Sequence, residues 1–406
     1  MYSKITQKYR AKLSRNFRLM FFVQAFQNVR TINIVVALFY LSRGLSLSQV
    51  FYLSIIWAVV NILFEVPSSY LADRWGRKKT IILSSFLYLT NCVLLIFSHS
   101  FLMFGLCIFF YSLASACLSG TDEALVYDTS RELGQKDDSL RRLGQYYAAE
   151  KIFKILTPLL GAFIAKDLSD YQFIVLLIID SVASFIALVI PFFITEPKHH
   201  LEVEKIEAGI MVDAIKLVKN NPNLMRATCN RALGFTAVFI IWRYHQELFT
   251  HIGVSILTLG IGWSIFNFLI TLLNYQIHRF WPNKSLTTKI NFLNFLTIIL
   301  VGLFVIAWYF NVHYYWILTL YFLINITENA RWPIFADLFN KYSNSFNRAT
   351  TLSLSNLIKS IFDIPLLVVS GLLVTRGLIY PAYFTFIIIL ISSIIFYLPK
   401  KVKIEN

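Results

Sequence analysis

Windows of about 20 predominantly apolar residues recur along the whole chain, and nothing else in it constrains the fold as much. A bilayer offers backbone amides and carbonyls no water to bond, so a spanning segment must be a helix or part of a closed barrel, and windows of this length suit helices. They fall at 18–42, 49–71, 80–98, 101–128, 142–166 and 171–195, and again at 223–250, 254–278, 287–311, 313–338, 346–375 and 378–399. Twelve spans with short connections use up nearly all of the 406 residues. Hydrophobic residues make up 57% of the chain and charged ones 15%, against roughly 45–50% and 25% in an ordinary soluble domain. An all-α membrane protein of twelve transmembrane helices is expected, and an enzyme with an aqueous catalytic domain is not.

The windows divide six and six around a charged stretch from Glu196 to Asn221. Within it Ile206, Ile210, Ala214, Leu217 and Val218 recur at helical spacing beneath a charged face, the pattern of a helix lying along a membrane surface. The expected organisation is an N-terminal six-helix bundle over 1–195, a cytoplasmic linker with an amphipathic helix over 196–222, and a C-terminal six-helix bundle over 223–406. The formal charge of +15 has two readings, neutralisation of nucleic-acid phosphates or the basic inner loops of a membrane protein. Counting separates them. With the N-terminus inside, 27 of the 37 Lys and Arg fall in inner segments, only Arg43, Lys166 and Arg376 in outer loops, and seven within spans. Both termini are expected in the cytoplasm of a cell with a bacterial-type inner membrane, and charge spread over every inner loop leaves no need for a nucleic-acid partner.

The N-terminal MYSKITQKYRAKLSRNFR is too polar for a signal peptide, so the first span is expected to stay as an anchor. Cys92, Cys107, Cys117 and Cys229 lie in apolar stretches without ligand spacing, which disfavours a disulfide framework and a metal site. No Walker loop, nucleophile elbow, zinc-ligand helix or glycine-rich dinucleotide motif occurs, and no cofactor is expected.

Between the second and third windows stands SYLADRWGRKKTI, with Asp73, Arg74, Gly76, Arg77, Lys78 and Lys79. A short inner turn needs Gly76 for its bend, and Asp73 near the end of the second window can pair with arginine or act at a neighbouring helix N-terminus. The string resembles the G-x-L-A-D-R-x-G-R-K/R loop motif of the major facilitator superfamily, with Ser69 in place of the first glycine. The resemblance implies two pseudo-symmetric six-helix bundles, and a conformational latch formed by Asp73, Arg74, Gly76, Arg77 and Lys78 together with Asp122. FEVPSSYLADRWGRKK and SGTDEALVYD further resemble a drug-efflux-like bacterial subgroup, although the fourth window lacks the arginine of typical proton-coupled drug antiporters. The glycine-proline motif of the fifth window is reduced to TPLLGA around Pro158 and Gly161. A faint repeat supports two related halves: GTDEALVYD is followed by Arg142 and Lys154, and ITENARWPIFAD by Arg348 and Lys359.

An ionisable side chain at the middle of a spanning helix costs at least about 2.5–3.5 kcal/mol, so each one needs a partner, water or a function. Apart from residues at the cytoplasmic ends of the windows, and Lys166 at an outer end, seven basic residues lie within them (Arg30, Lys151, Lys154, Arg231, Arg243, Arg331, Lys359) and eight acidic ones (Glu65, Asp122, Glu123, Glu150, Asp180, Glu247, Glu328, Asp363). Glu150 with Lys154, Arg243 with Glu247, Lys359 with Asp363, and Glu328 with Arg331 are spaced to pair on one helix face. Arg30, Lys151, Lys154, Lys359 and Arg331 are the candidate substrate-binding cations; the alternative is that they merely neutralise nearby carboxylates. Glu123, Glu150, Glu328 and Asp363 are the candidates for proton coupling. Phe22, Phe26, Trp242 and Trp332 are the aromatics placed to line a pocket.

The expected function is secondary active transport of a small solute by alternating access, proton-coupled and efflux-like by resemblance. The deep cations favour an alternative, transport of an anionic metabolite or carboxylate-type siderophore. A non-transporting membrane receptor or scaffold is the reading from a different class. The expected partners are the lipid bilayer, the solute and a proton or other coupling ion, with the protein as a monomer.

Overall fold

The computed structural model describes residues 2–135, 139–197, 221–276, 279–342 and 348–399. Every regular element among them is helical: α1 (Tyr2–Ser14), α2 (Asn16–Gln27), α3 (Val36–Ser42), α4 (Leu47–Trp75), α5 (Arg77–Phe97), α6 (Phe101–Leu118), α7 (Thr121–Glu132), α8 (Ser139–Ile164), α9 (Asp170–Val189), α10 (Pro222–His251), α11 (Ile256–Gln276), α12 (Leu286–Tyr309), α13 (Tyr314–Tyr342), α14 (Arg348–Leu373) and α15 (Tyr380–Ile395). The amphipathic linker helix expected around Ile206–Val218 lies outside the described residues.

These helices group into the twelve rods that the apolar windows predict. Eight are long and apolar enough to cross a membrane, and a ninth is the bent pair made by α1–α2 and α3. The others fall short for identifiable reasons. α8 carries Arg141, Arg142, Glu150, Lys151 and Lys154, α13 carries Glu328 and Arg331, and α15 is apolar but only 16 residues long. Large apolar side chains such as Leu102 (83% exposed), Phe163 (69%) and Ile394 (66%) face outward, as a lipid-facing surface requires.

Helix starts follow local chemistry. Ser169 caps α9 in a reciprocal box with Gln172, Asn221 caps α10 ahead of Pro222, and Ser100 and Ser285 cap α6 and α12. The fourth window divides at Gly120, whose φ of 74° lies in the left-handed region between α6 and α7.

The first rod is broken by a tertiary contact. After α2 the chain enters a 3-10 turn over Thr31–Ile34, and its two parts differ in direction by 53°. The freed amides are met by Asp180 of α9: Thr31 N and Oγ1 donate to Oδ1 at 2.7 and 2.8 Å, and Ile32 N donates to Oδ2 at 3.2 Å. Gly161 of α8 packs against this turn, where a Cβ would collide with the Thr31 carbonyl. A carboxylate with three donors therefore replaces the helical hydrogen bonds that the break gives up.

The chain forms two compact units, one of Met1–Leu45, Ile56–Glu204 and Ile256–Ser264, the other of Ser46–Ile55, Lys205–Ser255 and Ile265–Asn406. The first has cores around Met20, Val23, Ile81, Leu125 and Tyr146, and around Leu87, Tyr88, Cys92 and Ala114. The second has its core around Leu224, Ile290, Leu293, Phe335 and Phe339. All four cysteines are buried free thiols.

Candidate functional site

The latch motif forms one network in the first unit. α4 ends and α5 begins across Gly76, at φ 96° and ψ 151°, a backbone region open essentially to glycine alone. The first amides of α5, from Arg77 and Lys78, donate to the two carboxylate oxygens of Glu196, each at 2.8 Å. An anion at a helix N-terminus meets orphan amides and the positive end of the dipole together. Arg77 Nε donates to Asp128 Oδ2 at 2.7 Å, with Asp73 at 3.8 Å from the same guanidinium, and Lys78 Nζ donates to the Phe192 carbonyl at 2.7 Å. Arg74 is exposed. Asp122 is placed elsewhere: its carboxylate accepts from Tyr146 Oη and from the Glu123 amide. Asp128 and Glu196 escaped the sequence reading. Asp128 stands at the end of the quoted SGTDEALVYD, but the acidic pair before it drew the weight; Glu196 opens the charged stretch and carries no local signal.

The deep charges divide into paired and unpaired. Glu150 pairs with Lys154 on α8, Lys359 with Asp363 at 2.8 Å on α14, and Arg331 with Glu328 at 2.5 Å on α13. The Arg331 guanidinium also donates to Asn230 Oδ1 at 3.0 Å, in space that Gly234 keeps open. Asp363 accepts from Thr236 Oγ1 as well. Glu150 is joined to Asp122 through side chains of the first unit: Gln24 Nε2 donates to Glu150 at 3.4 Å, and Tyr146 Oη lies 2.9 Å from Gln24 Oε1. Glu123 is exposed and accepts from Tyr147 Oη.

Arg30 differs from the others. Its guanidinium sits at the break of the first rod, donating to the Gln27 carbonyl at 3.1 Å and to Tyr111 Oη at 2.5 Å, with its centre 4.9 Å from the Tyr88 ring centroid and 5.1 Å from that of Tyr111. No carboxylate among the described residues comes within ion-pair distance of it, and the nearby Asp180 spends its oxygens on Thr31 and Ile32. Lys151, half-buried on α8, likewise has no ion-pair partner among the described residues. Of the pocket aromatics, Trp242 and Trp332 belong to the second unit, Phe26 is half-buried and Phe22 is 48% exposed.

Twelve mostly apolar rods, a charged loop network and ion pairs on the rods define a multi-pass membrane protein. Residues 19–364 match the Major Facilitator Superfamily, and the chain belongs to that family; it is a transporter, not an enzyme. Among curated proteins, an uncharacterized transporter of Buchnera aphidicola subsp. Schizaphis graminum (strain Sg) is 24% identical over 165 residues, 41% of this chain and 40% of the relative. Among solved structures, the nucleoside transporter NupG is similar at a TM-score of 0.76 and 14% identity, covering 95% of this chain and 98% of that one. A D-xylose-proton symporter gives 0.73 at 12% identity over 97% and 98%. A bacterial homolog of the human lysosomal transporter Spinster gives 0.72 at 14% identity over 96% of each. At such identities these likenesses concern the fold.

Proposed function

We propose that this chain is a secondary active transporter of a small anionic solute, working by alternating access in a bacterial-type inner membrane with both termini in the cytoplasm. The observation that carries the anionic reading is Arg30. A guanidinium within a spanning rod is costly, and a purely structural one is expected beside a carboxylate that neutralises it. Lys154, Lys359 and Arg331 fit that structural description, whereas Arg30 is held by a carbonyl, a phenol and two ring faces, which orient its charge without cancelling it. Lys151 adds to the positive field in the same unit.

Proton coupling is assigned to the set Glu123, Glu150, Glu328 and Asp363. Two of these are bonded to lysines, so protonating them would release a cation. The latch role falls to Asp73, Gly76, Arg77 and Lys78, with Asp128 as Arg77's closest carboxylate. Efflux of lipophilic cations by proton antiport is the competing reading. Its support is the motif resemblance alone.

The two readings separate in proteoliposomes. A panel of mono- and dicarboxylates is tested against tetraphenylphosphonium under an imposed pH gradient. A carboxylate is expected to be transported, and Arg30→Gln to weaken its binding about tenfold to a hundredfold, the value of a charge-assisted hydrogen bond. Arg30→Gln that moves tetraphenylphosphonium as wild type does, with no carboxylate bound by either protein, would return the chain to the efflux reading.

A further inference from the structure

Two carboxyl groups of the first unit, Asp122 of α7 and Glu150 of α8, are joined by a chain of side-chain contacts whose protons can be counted. Asp122 Oδ2 meets Tyr146 Oη, Tyr146 Oη lies 2.9 Å from Gln24 Oε1, and Gln24 Nε2 lies 3.4 Å from Glu150 Oε2. The second oxygen of each carboxyl group is also engaged: Asp122 Oδ1 accepts from the Glu123 amide at 2.8 Å, and Glu150 Oε1 pairs with Lys154. Tyr146 and Gln24 are both buried, so bulk water does not stand in for a missing partner.

Lys154 fixes the charge at one end. Its ammonium keeps Glu150 ionised, and an ionised carboxylate attracts the amide hydrogens of Gln24 and repels its oxygen. Gln24 Oε1 therefore faces Tyr146, where it can only accept, and Tyr146 has a single hydroxyl proton to give. If that proton goes to Gln24, the contact between Tyr146 Oη and Asp122 Oδ2 is a hydrogen bond only when Asp122 brings a proton of its own. If it goes to an ionised Asp122, two buried oxygens are left 2.9 Å apart with no proton between them, and a buried acceptor goes unsatisfied. Turning the Gln24 amide over moves the defect to Glu150 without removing it, because an amide oxygen then faces the carboxylate.

The electrostatic setting agrees. Glu150, Glu328 and Asp363 each pair with a cation, and Asp180 accepts three hydrogen bonds from the first rod. Asp122, half-buried beside the Gly120 break, has no Lys or Arg within ion-pair distance among the described residues. The titratable groups that act on it are Glu123 of its own helix and Tyr146 and Tyr147 of α8. α2 presents the neutral Gln24, α6 carries no charged residue, and Arg77 of α5 is engaged with Asp128 and Asp73. Nothing here neutralises a negative charge on Asp122, which is costly within a spanning rod.

We propose that Asp122 carries the coupling proton. In this structure it is a neutral carboxyl group donating to Tyr146, with Glu150 and Lys154 as the charged end of the chain. Release breaks the Asp122 O–H bond and passes the proton to water. Tyr146 then turns its own proton from Gln24 to the new carboxylate, and the bond between Tyr146 and Gln24 is lost. Gln24 lies on α2, in the same rod as Arg30, so the proton decides whether that rod is tied to α7 and α8 through Tyr146. The assignment rests on the reading of the chain as a proton-coupled transporter and adds Asp122 to the carboxyl groups named there.

Infrared titration of the full-length protein, purified without substrate, tests the proton itself. At neutral pH wild type should show the C=O stretch of a protonated carboxyl group, lost as the pH is raised. That band should shift in protein made with carboxyl-labelled aspartate and not with labelled glutamate, a comparison that needs no variant. Asp122→Asn, whose amide can donate to Tyr146 in place of the carboxyl proton, should abolish the band, and Tyr146→Phe should move its frequency. A band that follows labelled glutamate, a band unchanged in Asp122→Asn, or no band at all refutes the proposal. Coupling is read separately in proteoliposomes under an imposed pH gradient, where Asp122→Asn should lose gradient-driven accumulation of a carboxylate and keep downhill exchange. Full accumulation by a variant that lacks the band refutes the coupling role. Absence of gradient-driven accumulation in wild type refutes the coupled reading of the whole chain and leaves the proton on Asp122 in place.

Discussion

Gly76 shows how one residue type is imposed by geometry. Its φ of 96° and ψ of 151° belong to a region where other residues are strained, and a Cβ there would lie 3.1 Å from the Glu196 carboxyl group. Gly76→Ala and Gly76→Asn are therefore both expected to destabilise the protein by about 1–3 kcal/mol. Gly120→Asn should cost far less, since its left-handed φ of 74° suits asparagine and its Cβ position is open. Thermal unfolding of the detergent-purified variants checks this, and equal losses at the two positions would refute the distinction. The glycine itself was legible in the DRWGRKK string. Its partner was not, because Glu196 reaches it from 120 residues downstream with no spacing rule to connect them. The in-helix pairs at Glu150, Glu328 and Lys359 were legible for the opposite reason, since separations of three and four residues fix proximity on a helix. What spacing could not reveal was which cations lack a pair: that Arg30 sits among Tyr88, Tyr111 and Gln27 depends on the packing of three separate helices.

At the scale of elements, the length of apolar windows carried most of the information. It placed twelve rods with boundaries a few residues from those observed, including α8 and α13, whose charges make them poor spans by composition alone. Breaks were not visible in the same way. The first window reads as one continuous helix because its apolar residues run through the 3-10 turn unchanged, and the bend exists because Asp180 supplies acceptors from another helix. The division of the fourth window at Gly120 had a local signal in the dipeptide Ser119–Gly120, outweighed by the apolar run before it.

For the whole molecule, charge distribution is the property best read from sequence, since the excess of basic residues in alternate loops does not depend on packing. The proposed orientation predicts that a membrane-impermeant maleimide, applied to intact cells, labels Lys166→Cys and spares Gln135→Cys; both positions are exposed, and the native cysteines are buried. Labelling of Gln135→Cys would invert the topology. The Asp180 clip at the break of the first rod also bears on how the chain is made. Thr31 is synthesised 149 residues before its acceptor, an interval of roughly 7–30 s at translation rates of about 5–20 residues per second. Throughout that time the nascent first span has no carboxylate to satisfy its amides, and hydrocarbon will not accept them bare. The segment must wait either as an unbroken helix that later kinks or at the wet edge of the translocon. Ribosome-stalled chains ending shortly before and well beyond residue 180 distinguish a settled first span from a waiting one: protease protection of residues 18–42 should become complete only in the longer chains, and full protection in the shorter ones would show that the break needs no partner during biogenesis.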